Sequence, residues 1–371
     1  MKAPAPNHAL EDGLGHGSTR ATEHEWLQDR SAGGDVRSSR QGSRLWLPAM
    51  LGLGALSGAA AYGTYRRDLA RIQRTVRSGS RIVATSCGPI EYAVQGQGLP
   101  VLAVHGAGGG YDQGLLVAGN AFREGYQVIA PSRFGYLRTP VPQDVSPAAQ
   151  ADAHAALLDA LGIRQAVVVG VSAGTPSAVE FALRYPNRTL ALVLLVPAGY
   201  APGHKVGLEP SAASQIVARI IVAGADFALW TAMHVTRSKV VRFLGVPPEI
   251  ELRASPAERE QVTAIMRSVL PVSWRAAGVR IDMSTSYEPR PLEQIRAPTL
   301  VVSTHDDLFG TLPVARYLAK RISHARLVVY DTGGHLLVGR QAELCEAGRA
   351  FLKETSLNLA GGCLMGPSLR P

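Results

Sequence analysis

Only three cysteines occur among 371 residues, Cys87, Cys345 and Cys363, too few and too scattered for a disulfide framework or a metal knuckle. Cysteine usage therefore leaves the redox compartment open, and Cys345, inside a helical pattern, reads as a small core residue. Charge is scarce too, at 18% of residues against 46% hydrophobic, a balance that suits a globular protein with a sizeable core. Basic clusters are missing from 82–371, where 26 Lys/Arg are interspersed with 22 Asp/Glu, so no nucleic-acid partner is expected. His305 stands beside Asp306 and Asp307, but no second ligand set has suitable spacing, and neither a metal nor another cofactor is expected.

One stretch, 45–65, has no charge at all. It has about the 20 residues needed to cross a hydrocarbon core of ~30 Å. Arg37, Arg40 and Arg44 precede it, Arg66, Arg67, Arg71, Arg74, Arg77 and Arg81 follow, and Trp46, Tyr62 and Tyr65 sit near its ends. Its many Gly and Ala residues and Pro48 add little transfer free energy. The expectation is a single-pass membrane anchor, with the Arg excess weakly favouring a cytoplasmic domain after it. A signal cleaved after Ala59-Ala60-Ala61, giving a secreted or periplasmic protein, and an unspanned surface helix are the alternatives. Residues 1–81 hold 12 Lys/Arg against 7 Asp/Glu. Within them, 1–44 reads as a disordered polar tail and 66–80 as a basic linker helix. Thr64 to Val76 has Leu69, Ile72 and Val76 on one face, as a helix lying on anionic headgroups would.

From Arg81 the patterns alternate. Strands are expected at Arg81–Ser86, Ile90–Val94, Val101–Val104, Val128–Ala130, Gln165–Val169, Thr189–Val196, Thr299–Ser303 and Leu327–Tyr330. Helical patterns cover Ala148–Leu161, Thr175–Tyr185, Pro313–Arg321 and Gln341–Leu352. Such alternation implies an α/β fold, a mainly parallel sheet with helices on both faces. Between about 200 and 295 the alternation stops and only helical stretches remain, which reads as a cap inserted after a strand. Trp230, Met233, Met266 and Trp274 either line a pocket from above or form the cap's own core. The domain runs over 81–357, and 358–371 is a Gly- and Pro-rich flexible tail.

Gly170-Val171-Ser172-Ala173-Gly174 lies between a strand and a helix, the sequence form of a nucleophile elbow. Its glycines suit a turn too sharp for side chains, and Ser172 projects at a helix N-terminus that favours developing negative charge. A serine hydroxyl needs a base, and the base needs an orienting acid. Gly333-Gly334-His335 follows the last strand, and His305-Asp306-Asp307 follows the one before. Both loops open at the carboxyl edge of a parallel sheet, beside the elbow. His105-Gly106-Ala107-Gly108-Gly109-Gly110 is a glycine turn whose backbone N–H groups can approach a substrate oxygen closely.

On these motifs, together with Pro-Thr-Leu-Val-Val at 298–302, the chain from about Arg81 to Leu352 resembles the lid-bearing branch of the α/β-hydrolase superfamily. The resemblance implies Ser172 as nucleophile, Asp307 as acid, His335 as base, and Ala107 and Ala173 as oxyanion-hole donors. Thr304 stands where that family usually has glycine, so Asp306 stays open as the acid. Serine at 172 argues against epoxide hydrolases and haloalkane dehalogenases, which carry aspartate there. Gly106, Gly108, Arg133 and Trp230 are candidate substrate contacts. Arg133 is placed either to clamp a carboxylate or to brace its loop.

The function this implies is hydrolysis of an ester, thioester or lactone of a small to medium apolar substrate through an acyl-enzyme on Ser172. Hydrolysis of a carbon–carbon bond is the neighbouring chemistry. The alternative from another class is a catalytically silent protein that binds an apolar ligand or a membrane partner. Oligomeric state is not legible.

Overall fold

The computed structural model describes residues 43–122, 125–209 and 211–355. The chain divides into two compact units, Met1–Gly58 and Ala59–Pro371. The tail expected over 1–44 lies outside the described residues up to residue 42, as do Cys363 and the tail at 358–371.

Helix α1 (Ser43–Ser78) leads into the sheet. Its strands are β1 (Arg81–Thr85), β2 (Gly88–Gly96), β3 (Leu99–Val104), β4 (Tyr126–Pro131), β5 (Ala166–Val171), β6 (Thr189–Leu195), β7 (Thr299–Thr304) and β8 (Ala325–Tyr330). They pair in the order β1-β2-β4-β3-β5-β6-β7-β8. Only β1 and β2 are antiparallel to their neighbours; β3 to β8 run parallel. Helices α2 (Tyr111–Ala121), α3 (Pro147–Ala160) and α4 (Thr175–Arg184) follow β3, β4 and β5.

The cap between β6 and β7 is helical: α5 (Ala212–Val222), α6 (Asp226–Val235), α7 (Arg237–Phe243), α8 (Pro248–Arg253), α9 (Pro256–Arg267) and α10 (Ala276–Ser284). Ser211 and Ser255 start α5 and α9 with capping boxes that satisfy otherwise orphaned N–H groups. Helices α11 (Leu312–Arg321) and α12 (Gln341–Glu354) complete the chain.

The central strands read as continuous apolar runs because both their faces are covered. Val101, Ala103, Val167 and Val169 meet α2 and α12 on one face, through Ala118, Leu344 and Phe351. Leu102, Val104 and Val168 meet α3, α4 and α11 on the other, through Leu158, Phe181 and Val314. Each such side chain contributes roughly 1.5–3 kcal/mol when fully buried. The result is a rigid sheet whose carboxyl edge lies under the cap.

Two expectations for the N-terminal region need correcting. The membrane span over 45–65 is not supported, since among the described residues no helix is long and apolar enough to cross a membrane. At the end of that stretch Tyr65 is 7% exposed, its ring 5.0 Å from Phe227 and 5.9 Å from Trp230. The face carrying Leu69, Ile72 and Val76 is likewise covered by the domain's own core, not presented to headgroups. Asp68 completes the docking by accepting hydrogen bonds from Trp230 Nε1 at 3.0 Å and Arg267 at 2.5 Å. Residues 66–78 thus pack against the cap as part of one unit with it, where a linker was expected.

Candidate active site

At the end of β5 the chain turns sharply into α4, and Ser172 at the apex takes φ of 49°. A left-handed serine is strained and needs surroundings that hold it. Gly174 is part of that hold, because a Cβ there would lie 2.6 Å from the carbonyl oxygens of His105 and Val104.

Ser172 Oγ lies 2.8 Å from His335 Nε2, and His335 Nδ1 lies 2.8 Å from Asp307 Oδ2. The carboxyl of Asp307 also accepts from the Phe309 N–H and the Thr311 hydroxyl. Burial pushes its pKa up, but the charge and hydrogen bond of His335, with those two donors, outweigh this and hold it below the ordinary value. Asp306 is turned elsewhere: its two oxygens accept the N–H groups of Gly333 and Gly334 at 3.1 and 2.8 Å. Of the two acids left open by the sequence, Asp307 touches the imidazole and Asp306 shapes the turn that carries it.

The cap contributes a residue that sequence reasoning missed. The Gly245 carbonyl, between α7 and α8, accepts from His335 N at 3.0 Å and Leu308 N at 3.1 Å, tying the acid loop to the histidine loop. Its φ is 80°, and a Cβ would stand 2.4 Å from Phe309 and 2.6 Å from His335 Cβ. Only a glycine fits there.

In the loop after β3, Gly106 packs so close that a Cβ on it would meet Ser172 Cβ at 3.2 Å. The Gly106 N–H donates to Gln113 Oε1, the Gly108 N–H to the Tyr136 hydroxyl and the Gly109 N–H to the Gly106 carbonyl. Within 106–109 this leaves the Ala107 N–H available to a substrate oxygen. Ala173, second in the turn that opens α4, has an N–H that helix geometry leaves unclaimed.

Arg133 braces this loop and is not among the residues lining the cavity at Ser172. Its Nε and Nη2 donate to the carbonyls of His105 and Gly106 at 2.9 and 3.1 Å, and both Nη atoms donate to Asp282 of α10 at 2.7 Å. His105 is buried, donates from Nδ1 to the Gly106 carbonyl and accepts the Arg133 N–H at Nε2. Burial first, and then the charge of Arg133, drive its pKa well below the usual histidine value. A second buried arginine, Arg275, donates to the Gly109 carbonyl at 2.6 Å and pairs with Asp112. Both arginines depend on α10 and the turn before it, so cap and oxyanion loop form one hydrogen-bonded unit.

Of the two places the sequence leaves open for Trp230, pocket wall or cap core, the structure has the second. The residue is 8% exposed and belongs to the cap's core with Met233 and Met266, outside the catalytic cavity. That cavity, of about 560 Å3, is lined by Ser172, His335, Gly106, Ala107 and Gly108 together with Leu208, Ile221, Val269, Met283 and Phe309. Among the described residues no Lys, Arg, Asp or Glu lines it. Among the described residues no group of three or more His, Cys, Asp and Glu is placed to hold a metal.

A parallel sheet with a serine elbow, an acid and a histidine on successive carboxyl-edge loops, and a helical cap above them define a capped α/β hydrolase. The chain belongs to the alpha/beta hydrolase family, whose model matches residues 101–347. It is similar to the uncharacterized hydrolase YcgS of Bacillus subtilis (strain 168), with 27% identity over 266 residues, 69% of this chain and 91% of that one. It is 28% identical over 254 residues to a 2-hydroxy-6-oxo-6-phenylhexa-2,4-dienoate hydrolase of Comamonas testosteroni, covering 66% of this chain and 84% of that protein. Among solved structures, an alpha/beta hydrolase fold protein from Nakamurella multipartita aligns with TM-score 0.59 and 28% identity, over 74% of this chain and 99% of that one.

Proposed function

We propose that this protein hydrolyses carboxylic esters or thioesters with an apolar acyl group, through an acyl-enzyme on Ser172. The observation that carries the reading is the unbroken line from Asp307 through His335 to Ser172, 2.8 Å at each step, ending in an apolar cavity.

Ser172 Oγ attacks the acyl carbonyl carbon while His335 Nε2 takes its proton, and Asp307 holds the imidazole in the required tautomer. The carbonyl oxygen becomes an oxyanion held by the N–H groups of Ala107 and Ala173, each worth about 3 kcal/mol in the transition state. Collapse breaks the bond to the leaving oxygen or sulfur, which receives the proton from His335. Water, deprotonated by the same histidine, then releases the acid. The apolar lining lowers the local dielectric, which strengthens these dipoles.

Carbon–carbon bond hydrolysis is the second reading, favoured by the identity to the Comamonas dienoate hydrolase. The apolar lining weighs against a dienoate carboxylate seated inside this cavity, where among the described residues no cation would meet it.

The test is a fluorophosphonate probe and a panel of p-nitrophenyl esters on the full chain. Labelling and turnover are expected in the wild type and lost in Ser172→Ala. A wild type that neither labels nor turns over any ester would overturn the reading, and cleavage of a vinylogous diketone in preference to esters would transfer it to the second.

A further inference from the structure

Beside the cavity at Ser172 lies another of about 760 Å3, and Gly207, Leu208, Ser214, Phe243 and Phe309 wall both, so the two adjoin. Their chemistry differs sharply. The inner cavity has no Lys, Arg, Asp or Glu on its lining among the described residues. The outer one is lined by Lys205, Lys239 and Arg242, with Glu209 as its exposed acid and Asp307 buried and already engaged.

Lys239 and Arg242 are one turn apart on α7, so they emerge on the same side of that helix. Arg237 on the same helix is neutralised by Glu251 at 3.0 and 2.6 Å. Lys205, Lys239 and Arg242 have no ion pair among the described residues. Unneutralised cations around a concave mouth focus a positive potential and raise the local concentration of anions. An anion is stabilised there, in contact with water, whereas the inner cavity would strip its hydration without replacing it.

We propose that the mouth is a leaving-group subsite for an anion. The substrate is then an amphiphile whose neutral acyl chain fills the inner cavity. Its alcohol or thiol portion carries a phosphate or comparable anion among Lys205, Lys239 and Arg242. This deepens the ester-hydrolase reading of Ser172 and rests on it. Attack by Ser172 breaks the acyl bond to oxygen or sulfur, the leaving atom takes the His335 proton, and the anionic product departs through the mouth. Water then frees the fatty acid.

Two matched substrate pairs test this on the full chain: 1-octanoylglycerol 3-phosphate against 1-octanoylglycerol, and S-octanoyl-4′-phosphopantetheine against S-octanoylpantetheine. The anionic member of at least one pair should show kcat/KM higher by roughly tenfold, the scale of two or three exposed charge pairs. That ratio should shrink as salt rises. It should fall to one or below in the double variant Lys239→Glu with Arg242→Glu. Because each ratio is taken within one protein, a loss of folded enzyme cancels. A preference confined to the glycerol pair identifies a lipid headgroup, and one confined to the thioester pair a soluble phosphorylated carrier; either supports the subsite. Equal turnover within both pairs would overturn this proposal alone. A protein that is inert and unlabelled at Ser172 would overturn the hydrolase reading and the subsite with it.

Discussion

Asp282, on the last helix of the cap, receives both Nη atoms of Arg133 at 2.7 Å, and the two side chains are 9% and 7% exposed. A buried pair of this kind adds little net stability, but removing one partner strands the other charge. Asp282→Ala should therefore cost about 3–5 kcal/mol of unfolding free energy. It should also lower kcat more than it raises KM, because Arg133 holds the carbonyls of the loop bearing Ala107. Denaturant melts and steady-state kinetics check both. The double variant with Arg133→Met should be less destabilised than the sum of the singles, and strict additivity would contradict the coupling.

Asp307 and Asp306 should separate cleanly. Asp307→Asn removes the acceptor that fixes the His335 tautomer, and a loss of roughly 10⁴-fold in kcat is expected by analogy with serine-protease triads. Asp306→Asn keeps one carbonyl oxygen for the Gly333 and Gly334 N–H groups and should cost roughly tenfold or less, the worth of one weakened hydrogen bond. Equal losses in the two variants would count against the assignment.

Gly245→Ala is expected to damage activity without touching substrate. Its methyl would push into Phe309 and His335, with an added penalty for a left-handed alanine of about 1–2 kcal/mol. A fall in the rate of fluorophosphonate labelling, with most of the fold retained by circular dichroism, is the predicted outcome. Unchanged labelling would show that the cap does not position the base.

Stability should depend on pH through His154. Burial and the charge of Arg133 depress its pKa from 6.5 to about 3, so the folded protein keeps it neutral. The unfolded chain binds a proton from about pH 6.5 downward, so stability is full above that value and declines as pH falls toward 3. The slope from this residue is about 1.4 kcal/mol per pH unit, and buried His105 acts in the same direction. Urea midpoints at pH 7.5 and 5.5 measure it, and His154→Leu should flatten the curve. A midpoint that does not move between those pH values would refute the claim.

Acyl-chain length should be set by Val269, which lines the cavity beside Gly108. Val269→Phe is predicted to shift the ester optimum to shorter chains, lowering kcat/KM for octanoate about tenfold relative to butyrate. An unchanged profile would place the acyl group elsewhere.

The sheet was legible because β5, β6 and β7 are apolar runs fed by turn signals, and local pattern decides such strands. The loops bearing Ser172, Asp307 and His335 were legible because motif and chain order mark them. What failed to show was everything held by distant partners. Arg133 stays open between clamp and brace until Asp282 arrives from 149 residues away, and Trp230 between pocket wall and cap core until Asp68 reaches it from 162. Gly245 has no local signature, since its requirement comes from two loops far along the chain. At the end of the stretch 45–65, Tyr65 reads as an interfacial aromatic until Phe227 and Trp230 reach it from the cap.

Asp68 gives the cap a tether that arises before the first strand. Cutting the chain at Arg81, where the strand pattern begins, would strip Tyr65, Asp68, Ile72 and Val76 from surfaces they now seal. The exposed indole and aliphatic floor would then invite self-association.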